Sequence, residues 1–235
     1  LFLLSIMVFL GGQVLPGMGG QGPIRQAQVA AGIPLSSPAM AINAVCLSGM
    51  EAVVAAARNI EAGEHSIVVA AGMESMSRAP HAFRGRLGQK YGAMEVVDTL
   101  EHDALLDAFA KQSMGASTEE GNPEYGVTRE AQDAWSALSH QRAAASADFL
   151  AGEIAPYTLT SRAGETVVSD DDGVRADTTV ETLAKLRPAF SADGGITAGN
   201  SSQITDGAAA LVLMSEETAA ARGIVPLARI EAHAA

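Results

Sequence analysis

The sequence predicts an α/β fold, and three observations predict it. Residues 39–71 read as strand, helix and strand, which is a βαβ unit. Apolar runs of strand length stand at 1–10 and 208–214, and the stretch from Met73 to Pro188 changes to mixed loops and helices, as an insertion would.

Taken in order, residues 1–10 (LFLLSIMVFL) form a continuous apolar run bounded by Gly11-Gly12, the pattern of a strand covered on both faces. The run lacks a basic flank and is far shorter than a spanning helix, so we read it as a strand rather than a signal or anchor. Gly17 to Gly22 matches G-x-G-x-x-G, but no acidic residue follows about twenty positions on, and Pro16 breaks the strand-to-helix turn that a dinucleotide site needs. Pro23 opens a short helix over Ile24 to Ala31, which Gly32 stops. Ala39 to Val45 reads as a strand. Ser48-Gly49-Met50-Glu51 has the form of a capping box with Ser48 as the N-cap. Met50, Val53, Val54, Ala57 and Ile60 keep helical spacing up to Gly63, and Ser66 to Ala71 is the next strand.

Within the insertion, Thr128 to Leu150 is the clearest helix, with Trp135, Leu138, Ala145 and Phe149 on a similar face and Gly152 beyond its end; Trp135 is expected in the core. The acidic run from Ser169 to Gly173 lacks the ligand spacing and terminal glutamate of an EF-hand and reads as a solvated turn. Ala208 to Met214 is an apolar strand, Ser215 caps a short helix that Gly223 ends, and Pro226 to Ala232 starts a further strand.

Composition narrows the function. The chain has 235 residues, 48% of them hydrophobic and 18% charged, which is the make-up of a folded globular protein. Fifteen basic against 27 acidic residues give a net charge of −12, which opposes binding to nucleic acid or to an anionic membrane. One cysteine excludes a disulfide framework and a Cys-rich zinc site, and a free thiol suits the reducing cytoplasm.

That cysteine, Cys46, lies between the strand and the helix of the βαβ unit. Helix N-terminal amides favour an anion, so a thiol there is a candidate nucleophile, on a turn similar in shape to a nucleophile elbow but without its G-x-S-x-G sequence. The competing reading is a small buried hydrophobe.

Asn43-Ala44-Val45-Cys46-Leu47-Ser48-Gly49-Met50 closely resembles the nucleophile segment of the thiolases, which make or cleave 3-ketoacyl-CoA thioesters. Flanking stretches resemble the family in the same order: 12–34, VVAAGMESMSRAP, QSMGASTEE, TREAQDAWSALSHQRA, LAKLRPAF and ITAGNSSQITDGAAALVLMSEE. The resemblance implies a layered α/β/α half with a mixed sheet, with 1–72 and 189–222 as its core, 73–188 as a loop domain, and 223–235 as the entrance to a second half. Relative to the family the chain is expected to be cut short at both ends. It also implies Cys46 as the acyl-accepting nucleophile, Ser202 at the pantetheine arm of CoA, Arg175 near its adenine end and Met114 in the acyl pocket, where Ser113 replaces a frequent histidine. CoA thioesters are then substrates, with no cofactor and no metal, and the full-length protein is a cytoplasmic homo-oligomer. The family's Asn-Glu-Ala-Phe and Gly-His-Pro segments and its second cysteine have no counterpart in this sequence, so the chain alone is expected to be inactive. Ketoacyl synthases share the cysteine-bearing fold, but ITAGNSSQ and SHQRA favour thiolase. A non-catalytic acyl-CoA or lipid-binding module is the alternative from another class.

Overall fold

The computed structural model describes residues 6–11, 19–86 and 88–234. Expectations for 1–5 and for Gly17 and Met18 of the Gly17 to Gly22 motif lie outside them. The elements run β1 (Ile6–Gly11), α1 (Pro23–Ala30), β2 (Ala39–Ile42), α2 (Ser48–Glu61), β3 (Ile67–Ser75), β4 (His81–Ala82), β5 (Val97–Asp98), α3 (Met114–Gly121), α4 (Arg129–Ala145), α5 (Ala147–Ala151), β6 (Tyr157–Ser161), β7 (Gly164–Val168), α6 (Val180–Leu183), β8 (Asp206–Met214) and α7 (Glu216–Ala221). They form two compact units, Leu1–Leu106 with Ile204–Ala235, and Asp107–Gln203. The sequence reading drew the insertion over 73–188.

The first unit is built on a mixed four-stranded sheet of order β2-β1-β3-β8. β1 runs parallel to both β2 and β3, with Gly11 opposite Ile42 on one side and Gly72 on the other, while β8 is antiparallel to β3. Side chains alternate across a strand. Val68 and Ala70 of β3 pack with Ala52 and Ala56 of α2, whereas Val69 and Ala71 pack with Ile24 of α1. The two helices therefore cover opposite faces of the sheet. Ala52 and Ala56 are fully buried, and their small size lets α2 lie close to the strands. The face of α2 turned inward is thus one of alanines, and Met50, expected there, is exposed. α2 ends as the sequence predicts: Gly63 has φ +72°, its amide donates to Ile60 and that of Glu64 to Asn59, a Schellman motif.

The second unit carries α3 to α6 and the β6–β7 hairpin. Thr128 caps α4 by accepting from the Ala131 amide at 3.3 Å, and the expected long helix breaks at Ser146 into α4 and α5. Its period is right and its phase is not. Asp133 and Ala137 are the buried positions, while Trp135, expected in the core, is exposed. An Arg129–Asp133 pair at i, i+4 sets the inward face instead, because its inward partners are the Asn200 side-chain amide and the backbone carbonyls of Leu183 and Leu186 rather than apolar side chains.

Ser215 caps α7 as expected, accepting from the Thr218 amide at 3.1 Å. After Gly223 the described residues form no strand, so the strand expected at Pro226 to Ala232 is absent there. Among the described residues, no helix is long and apolar enough to cross a membrane.

Candidate active site

β2 ends at Ile42, three residues earlier than its sequence suggests, because the chain turns sharply at once. The Asn43 side chain accepts from the Val45 amide at 3.0 Å, the local bond by which asparagine opens turns. Val45 then takes φ +54°, a left-handed conformation that is an outlier for a β-branched residue. Cys46 follows directly, and its side chain is exposed. A cysteine serving only as a small core residue would be buried. The Leu47 amide donates to Ala44 and the Ser48 amide to Val45, both at 3.1 Å, and the first helical bond runs from Glu51 to Leu47.

Ser48 does not cap the helix. It is its first residue, 2% exposed, and Leu47 occupies the N-cap without a side-chain bond. The Ser48 hydroxyl instead reaches back, donating to the Val45 carbonyl at 2.6 Å and accepting from the Ala44 amide at 2.9 Å. One buried hydroxyl thus closes the loop around Cys46 from behind. The turn stands at the carboxyl edge of the parallel strands. There Gly72 of β3 lies so near that a Cβ on it would sit 3.5 Å from the Gly49 Cα. Crevices at the carboxyl edge of parallel strands are where open α/β sheets bind ligands.

The other three candidates lie in the second unit. Met114 is the first residue of α3 and exposed, next to Ser113, which caps that helix through the Ala116 amide at 3.3 Å. Ser202 and Arg175 are both exposed, and the segments that carry them meet. A Cβ on Gly173 would fall 2.2 Å from the amide end of the Gln203 side chain, so the two segments touch there. The Arg175 amide donates to Nδ1 of His140 on α4 at 3.2 Å.

Sequence reasoning missed the groups that shape the loop before Ser202. Glu119 on α3 accepts from the amides of Gly195 and Ile196, at 3.0 and 2.7 Å. Asp133 on α4, 1% exposed, accepts from Asn200 Nδ2 at 2.9 Å and Arg129 Nε at 2.7 Å. Glu119, Asp133 and Asn200 stand inside stretches that carry the family resemblance, and only the inverted phase of α4 would have pointed to Asp133.

The fold and turn define an α/β protein that displays an exposed cysteine between strand and helix. A family model, "Thiolase, N-terminal domain", matches residues 6–217, and the chain belongs to the thiolase family. A "Probable acetyl-CoA acetyltransferase" of Mycolicibacterium smegmatis is 48% identical over 226 residues, 94% of this chain and 58% of that protein. Among solved structures, acetyl-CoA acetyltransferases from Syntrophomonas wolfei and Bacillus anthracis align with TM-scores of 0.87 at 33% and 39% identity. Each alignment covers 95% of this chain and 57% of theirs. The chain thus spans somewhat over half the length of these relatives.

Proposed function

We propose that this chain supplies the nucleophile half of an acyl-CoA C-acyltransferase, with Cys46 as the residue that accepts the acyl group. The observation that carries this is the exposed cysteine on a strained turn held by the Ser48 hydroxyl, within a chain of the thiolase family. The Cys46 sulfur attacks the thioester carbonyl, the oxyanion forms and collapses, the C–S bond to CoA breaks, and CoA leaves as its thiol with the proton from Cys46. In the degradative direction CoA attacks the acyl-cysteine; in the synthetic direction the α-carbon of a second acetyl-CoA does so after losing a proton.

Ser202 and Arg175 bind the CoA part and Met114 lines the acyl pocket in this reading. Support comes from their exposure and from the meeting of the Ser202 and Arg175 segments at Gly173 and Gln203. Full turnover requires an activating base and oxyanion donors that none of the 235 residues is placed to supply by resemblance, so turnover by this chain alone is negligible. The whole protein is a cytoplasmic homo-oligomer.

The test is intact-mass spectrometry after mixing the purified chain with acetyl-CoA, run beside Cys46→Ser. A gain of one acetyl group that the variant lacks is expected. A folded chain that gains none refutes the nucleophile assignment. Saturable CoA binding that survives alkylation of Cys46, with no adduct formed, would instead select the non-catalytic acyl-CoA-binding module.

A further inference from the structure

We propose that Glu119 and Asp133 are positioning residues: together they set the shape of the 195–202 loop and thereby present Ser202 to the pantetheine arm of a CoA thioester. The inference rests on the reading of Ser202 given above. It goes beyond it by naming two carboxylates, on two different helices, that control the same contact.

The loop's bonds are directed inward along almost its whole length. Its first two amides, Gly195 and Ile196, take the two oxygens of Glu119. Thr197 is fully buried; its amide donates to Asn200 Oδ1 at 2.7 Å, and its hydroxyl oxygen accepts from the Gly199 amide at 3.2 Å. Asn200 Nδ2 donates both to Asp133 and, at 3.0 Å, to the Gly195 carbonyl. The Ser201 hydroxyl donates to the Thr197 carbonyl at 2.6 Å. Ser202 is the next residue and is exposed. A neutral scaffold would serve less well, because a carboxylate offers only acceptors and fixes which way every donor around it must point.

The geometry also explains two glycines. A Cβ on Gly194 would lie 2.1 Å from the Glu119 carboxylate, and one on Gly199 within 2.6 Å of both Leu183 and Leu186. Arg129 fixes that second wall, donating to the carbonyls of Leu183 and Leu186 while it holds Asp133. Asp133 and His140 stand seven residues apart on α4, two turns along one face, so the same face that holds the Ser202 loop also receives the Arg175 amide.

Replacing Glu119 by glutamine turns a donor toward one of the two amides and releases the start of the loop. The experiment is a double-mutant cycle on CoA binding by the full chain, measured by calorimetry for wild type, S202A, E119Q and E119Q/S202A. Expected is a loss of about tenfold for each single variant, the scale of one charge-assisted hydrogen bond, and no further loss in the double variant, because Glu119 acts through Ser202. Losses that multiply, or an E119Q variant with wild-type affinity, overturn the inference while leaving the Ser202 assignment standing. An S202A variant that binds CoA as wild type does, or a wild-type chain that does not bind it, removes the assignment and the inference with it. Asp133→Asn, run through the same cycle, gives the answer if E119Q does not fold.

Discussion

Val45 and Ser48 make the turn around Cys46, and each supports a sharp prediction. Val45 holds φ +54° with an exposed, β-branched side chain. Glycine meets no steric penalty there and little packing is lost, so Val45→Gly should stabilise the chain by up to about 1 kcal/mol in urea unfolding. Loss of stability would mean that the valine side chain is held by contacts the turn does not reveal. Ser48→Ala should do the opposite: it removes a buried hydroxyl that serves an amide and a carbonyl at once, at a cost of about 1–3 kcal/mol. That Cys46 lies on a strand-to-helix turn was legible in the sequence, because a strand pattern leads up to the single cysteine and a helical one runs from it to Gly63; that the strand stops at Ile42, with Asn43 opening the turn, was not. The job of Ser48 was not. A serine before a helical run with glutamate three places on satisfies the capping pattern, and only the tight turn at Val45 decides that its hydroxyl points backward.

Among the elements, β3 and β8 are joined at their ends by a carboxylate. Asp206, the first residue of β8, accepts from the Ser77 hydroxyl and amide just past β3 and from the hydroxyl of Ser75, the last residue of β3. The Ser77 hydroxyl, then the Ser77 amide, hold its carboxyl below the ordinary value. A carboxylate lowered in the folded state adds stability above its unfolded pKa of about 3.9, and that stability is lost as the pH falls through the folded value. The melting temperature of the wild-type chain should therefore drop more steeply below about pH 4 than that of Asp206→Asn. The carboxylate is exposed, so the difference at neutral pH should be no more than about 1 kcal/mol. Equal slopes for both chains would show that the tie is satisfied by solvent. The same scale explains why α4 was read with the wrong face inward. The apolar residues Trp135 and Leu138 of α4 and Phe149 of α5 recur at helical spacing, but the charged pair Arg129–Asp133 finds the Leu183 carbonyl on α6 and the Asn200 side chain in the 195–202 loop, and a periodicity count cannot weigh such partners. Trp135→Ser should accordingly change stability by less than about 0.5 kcal/mol, whereas Ala137→Leu, which forces volume into a site 3% exposed, should cost about 1–3 kcal/mol.

At the scale of the whole molecule, the decisive feature is where apolar side chains remain in water. β8 stands at the edge of its sheet with a neighbour on one side, and consecutive residues Leu211 and Val212, which point to opposite faces, are 57% and 63% exposed. Beyond α7, Val225 and Leu227 are more exposed still. An ordinary sheet in a globular domain buries at least one face of every strand, and an edge strand exposed on both faces from Asp206 to Val212, before Leu213 packs on the core, is a template for association. The net charge of −12 opposes such contact between copies but is spread over the chain, and exposed charges are screened beyond about 8 Å at physiological salt. Hydrophobic contact should therefore win as salt is raised. The expected result in sedimentation velocity is an average mass that grows with protein concentration and with ionic strength. Leu211→Lys with Val212→Lys should hold the chain as a monomer at the same concentrations, because each lysine places a charge on one face of the strand. A wild-type chain that stays monomeric at high salt would mean that this strand is covered in solution by residues of its own chain, and the association argument would fall.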